Sequence, residues 1–270
     1  MTDVIRDRPE MTADCPARRD KIVAIVQSNY IPWKGYFDLI NSVDEFILYD
    51  IVQYTRRDWR NRNLIKTQDG LRWLTIPVEV KGRYTQTIEE TRISDAGWTR
   101  RHLETIRHTY RHAPFFDEYE SFLVELYRDS YDVLLSEVNE RFLRAICRLL
   151  GIRTVISQAS SYSRVPDRHE QLITICLESD ARRYLSGPTA RGYLDETRLA
   201  AAGIRVEWMD YSDYPEYPQL FPPFEHRVSV IDLLLNAGPT APRFMKSFGV
   251  PREARLPVAR PNWESTSSGS

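Results

Sequence analysis

The chain opens its patterned region with an unbroken apolar run, Ile22 to Val26, that stops abruptly in polar Gln27, Ser28 and Asn29. An aromatic and proline turn follows (Tyr30, Pro32, Trp33), then a helical stretch over Lys34–Asn41 and a second apolar strand from Glu45 to Asp50. Short continuous apolar runs are the mark of strands buried on both faces. The next pattern is antiparallel: Asn63–Thr67 and Leu71–Val80 flank Gln68-Asp69-Gly70, and an Asp-Gly pair between β-rich runs predicts a hairpin. Thr87–Ile93 is expected to add a third antiparallel strand. From Trp98 the period becomes helical. Leu134, Leu135, Val138, Phe142, Ile146, Leu149 and Leu150 form one apolar stripe, ended by Gly151.

The second half returns to a βαβ rhythm. Strands are expected at Arg153–Ser157, Arg183–Leu185 and Ile204–Tyr211, and helices after the Asp167/Glu170 capping box, over Leu194–Ala202 and over Val228–Leu235. Strands alternating with helices imply an α/β fold: a mainly parallel, Rossmann-like sheet of about five strands flanked by helices. The hairpin and a helical segment, about 63–150, are inserted after the second strand. One domain is expected over 21–258, between a disordered leader (1–20) and a disordered tail (259–270) that lack any period.

Composition narrows the class without naming a chemistry. Hydrophobic residues make up 42% and charged residues 28% of 270, ordinary for a soluble globular protein. A net charge of −1 supplies no global attraction to nucleic acid or an anionic membrane. No stretch reaches the roughly 20 apolar residues of a membrane span, and the start lacks an apolar signal core, so the expected location is the cytoplasm. Cys15, Cys147 and Cys176 have no metal spacing and read as free thiols in a reducing compartment. No Gly-x-Gly-x-x-Gly, Walker-type loop or serine elbow is present, and no cofactor is implied.

QSNYIPWKGYFDLI, YDIVQYTRRDWRNRNLIK, WLTIPV, YLSGPTARGYLD and YPEYPQLFPPFEHRVSVIDLLLNAG occur in this order. Together they resemble the WbqC-like protein family from about Lys21 to Gly238. That resemblance implies a setting in polysaccharide or secondary-metabolite assembly. Two positions depart from the family pattern: Val26 stands where a His is usual, and Ile51 where a second Asp is usual. At a broader level the first strand, turn and helix are similar to the nucleotidylyltransferases of the HUP class. Their His-x-Gly-His is absent, so the likeness carries fold and not activity.

Ligands of open α/β sheets sit outside the carboxyl ends of the strands, which selects the candidate residues. Gln27, Asn29, Tyr30 and Trp33 follow the first strand. Asp50, Gln53, Arg56, Arg60, Asn61 and Arg62 follow the second, with guanidiniums suited to phosphate or carboxylate; were 54–62 helical, Arg56 and Arg60 would share a face. Ser186 and Gly187 form a small turn before Asp195, at the opposite wall. Asp50 and Asp195 are the candidate bases. Glu104, His108 and His112 have helical spacing for a metal but suggest no fourth ligand, so no metal site is expected. The proline-rich stretch from Tyr211 to Phe224 is expected to lie over the sheet edge as a lid.

The expected function is a transferase-type enzyme that moves an acyl, aminoacyl or similar group onto an amino sugar or other small polar acceptor. Its partner is a small molecule, anionic or nucleotide-linked, with no membrane or nucleic acid involved. A non-catalytic binding subunit that retains the fold is the alternative. A nucleotidyltransferase is the third, and it predicts magnesium-dependent pyrophosphate release.

Overall fold

The computed structural model describes residues 19–128 and 133–249. Most of the expected leader and the whole expected tail lie outside those residues. The apolar runs become the five strands of one parallel sheet: β1 (Lys21–Val26), β2 (Glu45–Leu48), β5 (Val155–Gln158), β6 (Ala181–Ser186) and β7 (Arg205–Trp208), in the order β5-β2-β1-β6-β7. A separate antiparallel pair, β3 (Arg62–Thr67) and β4 (Gly70–Thr75), forms the hairpin. Seven α-helices flank them: α1 (Lys34–Asn41), α2 (Trp98–Tyr110), α3 (Phe116–Arg128), α4 (Leu135–Leu150), α5 (Arg168–Glu178), α6 (Glu196–Ala201) and α7 (Val230–Ala237).

Alternation along the strands builds two cores. Ile22, Ala24, Phe46 and Leu48 face one side, where α1, α4, α7 and the hairpin supply Phe37, Ile40, Phe142, Ile146, Leu234 and Ile65. Val23, Ile25, Ile47 and Tyr49 face the other, against Leu172, Ile175, Cys176 and Leu199 of α5 and α6. The chain moves from β1 to β2 to β5 with helices on one face, then to β6 and β7 with helices on the other. Right-handed crossovers require this when the direction of travel across a sheet reverses. The reversal falls between β1 and β6, so their carboxyl ends splay apart into a crevice.

Three expectations change at this level. Thr87–Ile93 is not a strand: only isolated bridges form, Gln53 with Thr87 and Val78 with Ile93. Local side-chain bonds have taken the backbone instead, with Glu90 accepting from Thr87 N at 2.8 Å and the Thr91 hydroxyl donating to Thr87 O at 2.8 Å. The hairpin ends at Thr75 rather than Val80, because Pro77 offers no N–H to extend the ladder. Residues 54–61 form turns and bends, not a helix, and Arg62 begins β3. Asp58 accepts from the Thr55 hydroxyl and from Trp59 N, both at 2.7 Å, and Arg57 adopts a left-handed φ of 60°. Arg56 and Arg60 therefore share no helical face.

Candidate functional site

The segment Gln27–Ile31, which leaves β1 at the crevice, is pinned from several directions. Asp50, at the end of β2, accepts from Ser28 N at 2.8 Å. The Tyr36 hydroxyl donates to Gln27 O at 2.8 Å. One nitrogen of Arg60 donates to Gln27 O and Ser28 O, both at 3.3 Å, and to the Asn29 side chain. Tyr30 N donates to Trp59 O, and Asn63 Nδ2 to Tyr30 O at 3.0 Å. From α4, Asn139 Nδ2 reaches the Ser28 hydroxyl at 2.9 Å. Ile31 is held at φ 37°, a left-handed value that a β-branched residue keeps only where its surroundings impose it. A loop with its polar groups so thoroughly engaged is rigid, which a binding wall requires.

Against this loop lies a cavity of about 360 Å³ lined by Asn29, Pro32, Trp33, Trp59, Asn63 and Arg227. Each indole is backed by other groups. Trp33 meets Tyr211 and Tyr214 at centroid distances of 5.2 and 5.4 Å, and Trp59 meets Trp73 at 5.3 Å. Gly35 lies under Trp33: a methyl group there would sit 2.3 Å from the indole carbon Cζ2, so only glycine lets the ring lie flat on α1. Among the described residues no carboxylate lines the cavity, and Arg227 is the one charged lining group.

On the other side of the loop, Asp50 opens on a small cleft of about 20 Å³ with Leu48, Glu89, Ser136, Glu140, Gln158 and Ser160. That is room for about one water molecule. Asp50 is only 6% exposed. Burial pushes its carboxyl up to about 6; the Ser28 amide and hydroxyl and Arg60 pull it down, and Glu89 adds to the rise.

The other candidates divide. Tyr30 is fully buried and points into the core, its hydroxyl shared with His102 Nδ1 at 2.9 Å and the Tyr127 hydroxyl at 2.6 Å. Asn61 is buried, with Nδ2 donating to Ile76 O at 2.8 Å. Gln53 and Arg56 are exposed, and Gln53 donates to Tyr84 O. Arg62 lies on the face of Trp73, 4.1 Å from the ring centre. Ser186 is buried at the end of β6. A methyl at Gly187 would lie 3.8 Å from Tyr211, so this turn meets the crevice through the ring behind Trp33. Asp195 caps α6, accepting from Thr197 N and Arg198 N; its carboxylate is committed there. His112 lies beyond the end of α2, both His108 and His112 are exposed, and no group of three or more His, Cys, Asp or Glu among the described residues can hold a metal. Burial pushes the Cys147 and Cys176 thiols up to about 12, which keeps them unreactive.

The expected lid, 211–224, contributes through Tyr211 and Tyr214 and is anchored by α7: Asp232 accepts from Tyr217 at 2.7 Å, Gln219 at 2.9 Å and Tyr110 at 2.8 Å. Lys34, which the sequence did not single out, anchors this strap to α1. It is 3% exposed, with Nζ donating to Pro215 O at 2.7 Å and lying 5.1 to 5.9 Å from the Tyr217, Tyr214 and Phe224 ring centres. Burial lowers its ammonium to about 8. Trp59, Asn63 and Arg227 were also missed, although all three lie within the quoted motifs. Asn139 had a visible signal, an amide beside the apolar stripe of α4.

Fold and site together define an α/β protein with a cavity at the carboxyl edge of a parallel sheet. The chain belongs to the WbqC-like protein family, whose model matches residues 27–244. It is 48% identical over 226 residues to Uncharacterized protein Rv1507c of Mycobacterium tuberculosis (strain ATCC 25618 / H37Rv), a match that covers 84% of this chain and 98% of that relative. No solved structure matches the chain. Among the described residues no helix is long and apolar enough to cross a membrane.

Proposed function

We propose that the protein is a transferase of polysaccharide or specialised-metabolite biosynthesis, moving an acyl, aminoacyl or similar group onto an amino sugar or other small polar acceptor. One observation carries this reading. An amide- and indole-lined cavity shares a rigid three-residue segment, Gln27–Asn29, with a buried carboxyl group whose pKa of about 6 suits a base near neutral pH. The family membership supports the biosynthetic setting. In the proposed step the acceptor nitrogen or oxygen bonds to the donor's acyl carbon as the bond to the leaving group breaks. Its proton passes to Asp50 and leaves with the departing group or to solvent. Trp33 and Trp59 hold the ring of one substrate, and Arg227 meets its anionic group.

The test combines turnover with binding. Purified protein is assayed with CoA esters and aminoacyl donors against amino sugars, beside Asp50→Asn. Asn keeps an acceptor for Ser28 N, so the variant should bind substrate like the wild type and lose turnover by about two orders of magnitude or more. Undiminished turnover in Asp50→Asn removes the base role. A non-catalytic binding role has its own support: Val26 packs against one core and Ile51 against the other, so the family's usual His and second Asp have no polar replacement at those positions. That reading expects saturable binding without turnover for any donor.

A further inference from the structure

Trp59 is both a wall of the cavity and 39% exposed, which places it at the mouth; Trp73, stacked on it at 43°, is 41% exposed. Two half-exposed indoles side by side are an unusual use of surface unless something covers them. The Arg62 guanidinium lies over Trp73, and its Nε–H, like that of Arg60, finds no partner in the protein. The acid nearest this mouth in sequence, Asp58, is already engaged by Thr55, Trp59 N and Arg60. Among the described residues, Arg227 on the wall pairs with Glu225 alone, at 3.4 Å, its own side chain exposed. The cavity stands at the lower end of the roughly 300–1,000 Å³ of small-molecule pockets, so it seats one sugar-sized ring and whatever is attached must leave through the mouth. The path outward runs over aromatic surface flanked by arginines.

We infer that the ligand is a nucleoside diphosphate sugar, with its sugar between Trp33 and Trp59, its diphosphate at Arg62 and Arg227, and its base on the Trp59–Trp73 pair. This rests on the transferase reading, in which the sugar carries the accepting group. Aromatic surface alone would suit a neutral oligosaccharide; the arginines select the diphosphate, and stacking selects a planar base.

The test is calorimetric titration of the full chain with UDP-N-acetylglucosamine, GDP-mannose and dTDP-glucose, and with UDP, N-acetylglucosamine and chitotriose as partial and neutral probes. At least one nucleotide sugar should bind about tenfold or more tightly than its free nucleotide. Trp73→Ala and Arg62→Gln should each weaken nucleotide and nucleotide sugar by about tenfold and leave monosaccharide binding unchanged. Both positions are partly exposed, and unchanged thermal midpoints confirm the fold. Chitotriose binding as tightly as every nucleotide sugar, or an unchanged affinity in Trp73→Ala, overturns the inference. Failure of every nucleotide probe in a protein that still acylates a free amino sugar overturns it and leaves the transferase reading standing. Failure of both binding and turnover ends both.

Discussion

A carboxyl group held near 6 in the fold and near 3.9 in the unfolded chain makes folding pH-dependent in a definite sense. Its folded pKa is raised, so the stability linked to Asp50 is fully present below about pH 4 and is lost as pH rises through 6. His102 runs the other way: burial takes its imidazole down to about 4, so its contribution is present above about pH 6.5 and is lost as pH falls through 4. Between pH 4 and 6.5 the two oppose each other. Asp50→Asn removes one of them and should raise the melting temperature at pH 7.5 while steepening the loss of stability on acidification, as read by thermal melts across pH. An unchanged acid slope would show that Asp50 is not buried as described. Arg60 ties down the segment that leaves β1. Its removal leaves Gln27 O, Ser28 O and Asn29 without that donor, and Arg60→Ala should cost about 2 kcal/mol or more, a fall of roughly 4–8 °C in Tm.

At the scale of elements, the sequence made the strands and their exits legible because apolar runs and their polar terminators are local properties. It did not show which way each polar residue turns. Tyr30 stands beside the cavity-lining Asn29 in the chain, yet faces the core, because neighbours in an extended segment alternate, while Asn61, two residues before the cavity-lining Asn63, is turned to Ile76 O instead. The helical turn that would have put Arg56 and Arg60 on one face does not form, since Asp58's capture of Thr55 and Trp59 N competes with helix in a way that composition hides. Gly35 gives the element-scale test. Gly35→Ala forces the indole off α1, and should cost about 1–3 kcal/mol and abolish the near-ultraviolet signature of Trp33 packing. Unchanged near-ultraviolet dichroism would place Trp33 elsewhere.

Across the whole molecule, the mainly parallel sheet of about five strands was foreseeable from the βαβ rhythm and the strand order was not, whereas the aromatic strap became meaningful only through its anchor. Asp232 holds Tyr110, Tyr217 and Gln219 together, and Gln219 binds in turn to Lys66 at 2.8 Å and to Glu225 O at 2.9 Å, just before Arg227. Asp232→Ala leaves these donors buried without their acceptor and should destabilise the protein by about 3 kcal/mol or more. Hydrogen exchange should rise first in amides of 211–227, well before those of β1. Uniform exchange across both segments would mean the strap is not a separately opening unit.

The central position of β1 has a consequence for synthesis. Lys21 pairs with Ala181, so one edge of β1 waits for about 160 further residues of chain before its partner exists. Contacts so distant in sequence slow folding, and a waiting apolar edge invites pairing with the wrong neighbour. During translation, the strand that leads into the cavity is therefore the one most in need of a chaperone's cover.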